Sequence, residues 1–577
     1  MKQILDKSFK ILDFKYKISL VYILVITFLI SALDIAGIGL VFPLFSSIIS
    51  DNYIDNRFYQ YISNIYKFQT KNDFLYFLTF SILIVFTLKN ILLFFLTWFK
   101  DKFVLNLNDS LSMKFFTSYI NKDLLFHSNI NSAKLITNLD SEVRIFTKGI
   151  LISLTSMIHE TITMLLIFTL LVLTNVEITL FTVLILLFFM LIILFVTKKK
   201  LRNLGEVRSK YVIEKLKLKQ QSFNSIRDIK INFLEEILSN SYFKIMLRLR
   251  QIKIFSNLIS LVPKILFETL IIFLICLFFI YSINKKMDLV SYLPLLGLYF
   301  LCALRFVPSL SKTINYINVI RFSEPALNKL YNDSKDFKNI NYLNKTTELV
   351  KFEKKISIED VNYSFNKGKN IIFKNINFVI NKNSITGIIG RTGSGKSSLL
   401  NMILGFYKPD SGAIYIDNIN IANLKNMRNW YKLVGLVPQD VFIYDNTLLN
   451  NIILNNDKSK NFDENLLNVA IKNSELSSFV SSLEDGIYTN LGEKGNKISG
   501  GQKQRIGIAR CLYKKKEVII LDEATNSLDK HTEKQILNNL KNLKKEKTIV
   551  IVSHEPSVIE YCDHIFKIEN FDIDQIK

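Results

Sequence analysis

Residues 387–400, GIIGRTGSGKSSLL, decide the fold class of the second half of this chain. An apolar run leads into a glycine-rich turn, which is followed by a lysine, two serines and a second apolar run. Gly390, Gly395, Lys396 and Ser397 have the spacing of a phosphate-binding loop between a strand and a helix. In such a loop backbone N–H groups surround the phosphates, the lysine neutralises the β- and γ-phosphates, and the serine holds Mg²⁺. The stretch therefore predicts an α/β nucleotide-binding domain.

Three segments downstream end in polar side chains that suit phosphate chemistry. EVIILDEATNSLD is a buried strand that ends in Asp522 and Glu523, GLVPQD places Gln439 after an apolar strand, and KTIVIVSH ends at His554. We expect Asp522, together with Ser397 and Gln439, to bind Mg²⁺. Glu523 is the candidate general base that polarises the attacking water, which Gln439 can also reach. His554 is expected to contact the γ-phosphate.

The segment ISGGQKQR, residues 498–505, supplies a second group of phosphate-binding candidates. We refer to its first residues, Ser499, Gly500, Gly501 and Gln502, as the signature residues. A serine followed by two glycines at the start of a helix can surround a phosphate with backbone N–H groups.

The first half of the chain has the apolar runs of a membrane protein. A transmembrane helix needs about 20 mostly apolar residues, and six runs qualify, at 18–49, 73–98, 150–174, 177–197, 256–283 and 288–311. Long polar stretches follow the second and fourth runs, and the latter is rich in Lys and Arg. The positive-inside rule places both termini and both long connections in the cytoplasm. The predicted domains are a six-helix region at 1–330, a linker at 331–350 and a nucleotide-binding domain at 351–577.

The net charge of +23, from 73 Lys and Arg against 50 Asp and Glu, raises the alternative of a nucleic-acid-binding protein. The positive charge lies largely in connections beside apolar runs, where it orients a membrane protein and meets anionic lipid. We therefore expect membrane lipid, and no nucleic acid, as a partner.

Charged residues within the predicted spans are costly and normally face a bundle interior or a watery cavity. Three of them are cations, Lys89, Lys264 and Arg305. One interpretation is a cavity that receives an anionic head group, and the other is structural pairing, since Lys264 and Glu268 lie one helical turn apart.

The order of phosphate loop, Gln439, signature residues, Asp522–Glu523 and His554 resembles the nucleotide-binding domain of ABC transporters. The resemblance implies ATP and Mg²⁺ as cofactors and a head-to-tail dimer in which the signature residues complete the partner's ATP site. It also implies that an aromatic residue, here Phe365, stacks on adenine. The ATP-binding residues carried over are Phe365, Gly390, Thr392, Gly393, Ser394, Gly395, Lys396, Ser397, Ser398, Ser499, Gly500, Gly501 and Gln502.

Six spans followed by one such domain resemble an exporter-type half-transporter, which implies a homodimer in the bacterial inner membrane. In this family each long cytoplasmic connection ends in a short coupling helix, for which 126–132 and 222–231 are candidates. The stretches SALDIAGIGLVFPLF, VPKILFE and ALRFVPS resemble, more loosely, bacterial flippases for lipid-linked oligosaccharides. The resemblance implies that cations in the spans bind the pyrophosphate of the lipid, and the candidates for this role are Lys89, Lys264 and Arg305.

Other functions remain as alternatives. A lipid A–type exporter also needs cavity cations, whereas a peptide or multidrug exporter does not need three. An ATP-gated channel is disfavoured because Glu523 and His554 are both present. The six predicted spans exclude a soluble ABC ATPase of repair or translation.

Overall fold

The computed structural model describes residues 1–49, 59–60, 62, 68, 70–284, 289–335, 351–365, 370–424, 427–455, 462–554 and 556–577. The chain divides into two compact units. One is Met1–Lys122 with Phe126–Asn341, and the other is Asp123–Leu125 with Tyr342–Lys577. Most of the predicted linker, 336–350, lies outside the described residues.

The first unit is helical throughout its described part. Its α-helices are α1 (Lys2–Ile11), α2 (Phe14–Ile49), α3 (Lys71–Ile120), α4 (Leu124–Asn129), α5 (Ser132–Thr137), α6 (Ser153–Thr174), α7 (Val176–Asn224), α8 (Ile226–Ile231), α9 (Glu235–Asn284) and α10 (Leu289–Ser334). Two π-helical segments, Asn138–Glu142 and Ile145–Ile152, lie between α5 and α6.

Five helical segments in the described part of the chain are long and apolar enough to cross a membrane: Phe14–Ile48, Lys71–Ile120, Ser132–Thr174, Thr179–Asn224 and Glu235–Leu277. They overlap the first five predicted spans along most of each span's length. The sixth, 288–311, begins outside the described residues and continues in α10. The number of six spans therefore stays a prediction, while the membrane-type helical region is confirmed.

The polar stretches that we expected as connections are mostly helix. Helix α3 continues 22 residues beyond the predicted span to Ile120, and α7 continues to Asn224. Polar side chains do not end a helix when they can face water, and ion pairs such as Arg202–Glu206, one turn apart, support it. Gly205 allows a close approach of α7 to α10, because a Cβ there would lie 2.1 Å from the carbonyl oxygen of Phe322. The short helices α4 and α8 occur where coupling helices are expected.

The second unit contains two sheets. Its strands are β1 (Lys355–Phe365), β2 (Asn370–Asn381), β3 (Ile385–Gly390), β4 (Ser411–Ile416), β5 (Ile419–Asn420), β6 (Val434–Val437), β7 (Val518–Asp522), β8 (Thr548–Val552), β9 (His564–Glu569) and β10 (Asp572–Gln575). The sheet orders are β2-β1-β4-β5, which is antiparallel, and β10-β9-β3-β8-β7-β6. In the second sheet β9, β3, β8, β7 and β6 are parallel neighbours, and β10 is antiparallel to β9.

The helices of this unit lie between the strands in sequence. They are α11 (Lys396–Ile403), α12 (Arg428–Leu433), α13 (Leu448–Ile453), α14 (Glu464–Asn473), α15 (Ser477–Ser482), α16 (Gly500–Tyr513), α17 (Lys530–Leu543) and α18 (Pro556–Ile559). Short 3₁₀ turns occupy Ile421–Asn423, Gly486–Tyr488 and Glu493–Gly495.

The six-stranded sheet is buried on both faces, as continuous apolar strands predict. Alternate residues of β7 point to opposite cores: Ile519 and Leu521 join one apolar cluster, and Val518 and Ile520 join the other. The first cluster includes α14, α16 and α17, and the second includes α11 and the four-stranded sheet. This burial fixes the strand ends from which the candidate site is built.

Candidate nucleotide-binding site

The carboxyl ends of four adjacent parallel strands bring the predicted ATP-site residues together. Strand β3 ends at Gly390, β7 at Asp522, β6 two residues before Gln439 and β8 two residues before His554. In open α/β sheets ligands bind outside the carboxyl ends of the strands. The sheet order therefore gathers residues that are far apart in the sequence at one edge.

The phosphate loop has the backbone conformation that its glycines permit. Gly393 and Gly395 have φ of +85° and +105°, in the left-handed region. At Gly395 a Cβ would lie 2.7 Å from the side chain of Ile372, so this position also requires glycine for space. The loop leads directly into α11, whose N-terminal N–H groups favour an anion.

Lys396 is held inside this loop. Its Nζ donates to the carbonyl oxygens of Gly390, at 2.8 Å, and Arg391, at 3.1 Å, and the side chain is buried. Ser394 Oγ in the same loop is buried and makes no hydrogen bond within the described structure. A buried hydroxyl without a partner is costly, so the loop has a donor available for a phosphate oxygen.

Glu523 is the centre of the site. Its Oε2 accepts hydrogen bonds from Gln439 Nε2 at 3.0 Å and Asn526 Nδ2 at 3.3 Å. Its Oε1 lies 3.7 Å from His554 Nδ1 and 4.0 Å from Lys396 Nζ. Three residues that the sequence motifs single out therefore surround one carboxylate.

The backbone aims this carboxylate out of the sheet. Glu523 has φ of +50°, which is uncommon for a residue other than glycine, and its N–H donates to the carbonyl oxygen of Val552 at 3.0 Å. Left-handed backbone in a non-glycine residue persists only where its surroundings hold it, and such positions cluster at functional sites.

Asp522 is suited to a divalent cation. Burial, followed by the negative charge of Glu523, raises the pKa of this carboxyl, and the Lys396 ammonium opposes the shift. The two adjacent carboxylates of Asp522 and Glu523 repel each other, and Mg²⁺ would stabilise them in their charged form. Ser397 lies at the exposed start of α11 and Gln439 is also exposed, so both side chains are accessible to an ion.

The signature residues begin α16 as predicted. Ser499 is its N-cap: Ser499 Oγ accepts from the N–H of Gln502 at 3.2 Å, and the N–H of Ser499 donates to Gln502 Oε1 at 2.8 Å. Within the described ranges no hydrogen bond or ion pair joins these residues to the phosphate loop of the same chain. Gly500 and Gly501 instead lie against Ser527, whose carbonyl oxygen would be 2.9 Å from a Cβ on Gly501.

Gln504 is a site residue that the sequence motifs missed. It is buried in α16, its Nε2 donates to the carbonyl oxygen of Glu523 at 3.4 Å, and its Oε1 accepts from the N–H of Ser527 at 3.2 Å. Gln504 thus connects α16 by hydrogen bonds to the loop that carries Glu523. Its position in the segment ISGGQKQR is visible in the sequence, but the sequence does not show that its side chain points into the domain.

The remaining predicted residues are located less completely. Phe365 is the last residue of β1, and its side chain lies outside what the structure describes. Thr392 is exposed in the phosphate loop, and Ser398 is half-buried in the first turn of α11. Stacking on adenine by Phe365 stays a prediction.

The three cations of the helical unit have different surroundings. Lys89 Nζ is 2.6 Å from Asp34 Oδ1. Arg305 Nε is 2.5 Å from Asp34 Oδ2, and the angles of this ion pair are not those of a hydrogen bond. The Asp34 side chain is 3% exposed. Lys264 is exposed and its Nζ is 3.9 Å from Glu268 Oε1. Lys89 and Arg305 thus both contact a carboxylate of another helix, because helix packing brings the buried Asp34 between them.

Comparisons with known proteins agree with the geometry. Residues 373–526 match the family model for the ABC transporter. A putative export ATP-binding/permease protein of Rickettsia typhi is 39% identical over 215 residues, which is 37% of each chain. An ATP-dependent lipid A-core flippase of Coxiella burnetii is 37% identical over 223 residues, 38% of this chain and 37% of the flippase. The chain thus matches little more than a third of the length of these curated relatives.

A solved structure extends the likeness to the whole fold. A bacterial Atm1-family ABC exporter with ATP bound superposes with a TM-score of 0.74 over 97% of this chain and 95% of that one, at 17% identity. The order along the chain, membrane-type helices followed by one α/β unit, is thus shared with that structure. Residues 373–526 therefore match the ABC transporter family model, and the chain as a whole has the fold of that ABC exporter.

Proposed function

We propose that this chain is an ATP-driven exporter or flippase that works as a homodimer and moves an anionic lipid across the bacterial inner membrane. The observation that carries the proposal is the group of Lys396, Gln439 and His554 around Glu523 at the strand ends. An ATP-gated channel does not need this complete hydrolytic set.

The chain's own residues suffice for the proton transfer in hydrolysis. Glu523, oriented by Gln439 and Asn526, takes the proton of a water molecule as its oxygen bonds to the γ-phosphorus and the bond to the ADP oxygen breaks. Lys396 places a positive charge in the loop that faces the phosphates. Mg²⁺ held by Ser397, Gln439 and Asp522 would neutralise charge on the β- and γ-phosphates.

The signature residues support the dimer. In one chain Ser499 and Gln502 bond to each other, and among the described residues no hydrogen bond joins the signature residues to the phosphate loop. We infer that Ser499, Gly500, Gly501 and Gln502 complete the ATP site of a second copy. The difference in ATP affinity between separated and closed domains then supplies the work of transport. Helices α4 and α8 are the segments through which we expect this closure to reach the spans.

The charge around Asp34 supports an anionic substrate. Two cations share one carboxylate, so the group of Asp34, Lys89 and Arg305 carries one net positive charge. The exposed Lys264 adds a second site of attraction. We propose a lipid-linked oligosaccharide, whose pyrophosphate would meet Lys89, Lys264 and Arg305. Lipid A is the second candidate, since it is also an anionic lipid and similarity includes lipid A-core flippases.

The proposed orientation follows the distribution of Lys and Arg. Both termini and the ATP-binding domain lie in the cytoplasm, and the chain crosses the membrane six times. The proposed domains are 1–330 for the spans, 331–350 for the linker and 351–577 for ATP binding.

ATP hydrolysis in lipid nanodiscs tests the substrate. The purified protein is titrated with a polyprenyl-pyrophosphate oligosaccharide and, separately, with lipid A, and Glu523→Gln gives the background. We expect saturable stimulation by the oligosaccharide lipid alone. Stimulation by lipid A alone would move the assignment to that substrate, and stimulation by neither would contradict both.

One variant separates charge from stability at this site. Arg305→Gln leaves Asp34 paired with Lys89, so the buried carboxylate keeps a partner while the net positive charge disappears. We expect basal hydrolysis to persist and stimulation to be lost. Undiminished stimulation would contradict the assignment of Arg305 to the head group.

A further inference from the structure

A basic recess opens in the helical unit where the apolar run of α7 ends. Its volume is about 540 Å³, and it lies between α1, α7 and α10. Lys198, Lys199 and Arg202 line it from α7, and Arg321 and Glu324 line it from α10. The recess thus holds four cationic side chains and one carboxylate. None of these residues belongs to the ATP site or to the group of Asp34, Lys89 and Arg305.

The carboxylate does not neutralise the recess. Glu324 Oε1 is 3.6 Å from Arg202 Nη1, and Arg202 is also paired with Glu206. Arg321 Nη1 donates to the carbonyl oxygen of Leu194 at 2.7 Å, which holds the guanidinium at the recess without a carboxylate partner among the described residues. Lys198 and Lys199 are exposed and form no ion pair with any described residue. Two free ammonium groups beside a fixed guanidinium favour an anion.

The base of the recess is apolar. Met1, Ile4 of α1, and Ile317 and Ile320 of α10 complete the lining, and Ile320 is almost fully buried. A soluble anion gains nothing from such a surface, whereas an amphiphile can place its phosphate among the cations and its glycerol and first methylenes on the isoleucines.

The position along α7 indicates the source of the amphiphile. Lys198 is the first charged residue after the apolar run 177–197, so the recess lies at the membrane boundary. Basic recesses between helices on the cytoplasmic side of a membrane bind anionic lipid head groups. In the proposed orientation this end of α7 is cytoplasmic.

We propose that the recess binds the phosphate head group of an anionic phospholipid of the cytoplasmic leaflet, as a site separate from that of the transported lipid. The lipid bridges α7 and α10 through Lys198, Lys199 and Arg321, and it contacts α1 at Ile4. The proposal does not depend on which lipid is transported.

Native mass spectrometry of the detergent-purified full chain tests the site. The protein is titrated with phosphatidylglycerol or with phosphatidylcholine of the same acyl chains, and bound lipid is counted. We expect preferential retention of phosphatidylglycerol, and a roughly thirty-fold weaker binding in Lys198→Gln/Lys199→Gln, since each cation near the surface contributes about 1 kcal/mol.

A matched double variant controls for general charge. Lys200→Gln/Lys210→Gln removes two charges from exposed positions on the same helix outside the recess, and the Lys200 ammonium lies 4.1 Å from the ring centre of Phe255 on α9. We expect this variant to bind phosphatidylglycerol like the unmodified chain. Equal weakening in the two doubles would overturn the proposal, because it would reveal attraction by charge alone.

Two further outcomes would also overturn it. Equal retention of phosphatidylcholine would mean that the head-group charge is not recognised. Displacement of phosphatidylglycerol by an equal concentration of inorganic phosphate would assign the recess to a soluble anion. The thermal unfolding midpoint of Lys198→Gln/Lys199→Gln, measured in parallel, should equal that of the unmodified chain, since neither lysine forms an ion pair with a described residue. The control double should lower the midpoint only slightly, through the lost contact of Lys200 with the ring of Phe255.

Discussion

Two carboxylates, Glu523 in the ATP-binding unit and Asp34 in the helical unit, attract cations in different ways. Glu523 is about 18% exposed and stands at a strand end, with donors and cations at 3.0 to 4.0 Å that approach from several loops. Asp34 is 3% exposed and is enclosed between Lys89 of α3 and Arg305 of α10 at 2.6 and 2.5 Å. The Glu523 carboxylate is accessible to water, whereas each oxygen of the Asp34 carboxylate is in contact with a cation.

The difference separates chemistry from stability. An accessible carboxylate whose partners lie at 3.7 and 4.0 Å can accept a proton without losing a tight ion pair. A buried carboxylate that pairs with two cations cannot be removed without leaving them uncompensated in a medium of low polarity. Substitution of Glu523 should therefore affect the rate, and substitution of Asp34 should affect folding.

The largest expected effect is that of Glu523→Gln on hydrolysis. The amide keeps the size of the side chain but cannot take a proton, so we expect ATP turnover to fall about 10²- to 10⁴-fold. Nucleotide affinity, measured by equilibrium binding, should be retained because Lys396 and the phosphate loop are unchanged.

Glu517→Gln is the matched control on the same strand. Glu517 directly precedes β7 at the end away from the site, and its Oε2 is 3.9 Å from Lys382 Nζ. We expect turnover within about twofold of the unmodified chain, since exposed ion pairs contribute little. A comparable loss in both variants would show that the Glu523 effect is not catalytic.

The second effect is the loss of stability in Asp34→Asn. Removal of one member of a buried ion pair costs about 3–5 kcal/mol, because the remaining charge lacks compensation. Thermal unfolding in detergent should show a clearly lower midpoint. Replacement of Lys89 by Met in the same chain should recover part of the loss, which a double-mutant cycle measures.

Asp6→Asn removes a similar pair from the surface. Asp6 and Lys10 are 60% and 58% exposed and lie one turn apart, so we expect a change below about 0.5 kcal/mol. Similar midpoints for Asp34→Asn and Asp6→Asn would contradict the view that Asp34 is a structural counter-ion.

The ATP-binding unit is largely predictable from sequence because its site is built from local motifs on buried strands. Gly393, Gly395 and the residue order around Asp522–Glu523 encode the turn and the strand end within a few positions. Glu523, Gln439 and His554 then meet because parallel strands place their carboxyl ends at one edge. Gln504 escaped because its role depends on the direction in which α16 packs.

The helical unit shows what such reasoning misses. Apolar length predicts a span, but it does not say which residue of another helix a buried charge will meet. Asp34 and Lys89 are 55 positions apart, and only the packing of α2 against α3 joins them. We predicted polar connections at charged stretches such as 198–224 because they lack apolar residues, whereas the backbone there is helical.

Lys264 provides the smallest expected effect on stability and the sharpest separation of the two roles. Its pair with Glu268 is 3.9 Å long and both side chains are more than half exposed, with the cation N-terminal to the anion, the less favourable order on a helix. We expect Lys264→Gln to change the unfolding free energy by less than about 0.5 kcal/mol. If Lys264 meets the head group of the transported lipid, the same variant lowers stimulation of hydrolysis by the polyprenyl-pyrophosphate oligosaccharide. Lost stimulation with an unchanged midpoint would assign Lys264 to the substrate. Unchanged stimulation would contradict that assignment and leave Lys264 with the exposed pair to Glu268, the one ion pair that it forms among the described residues.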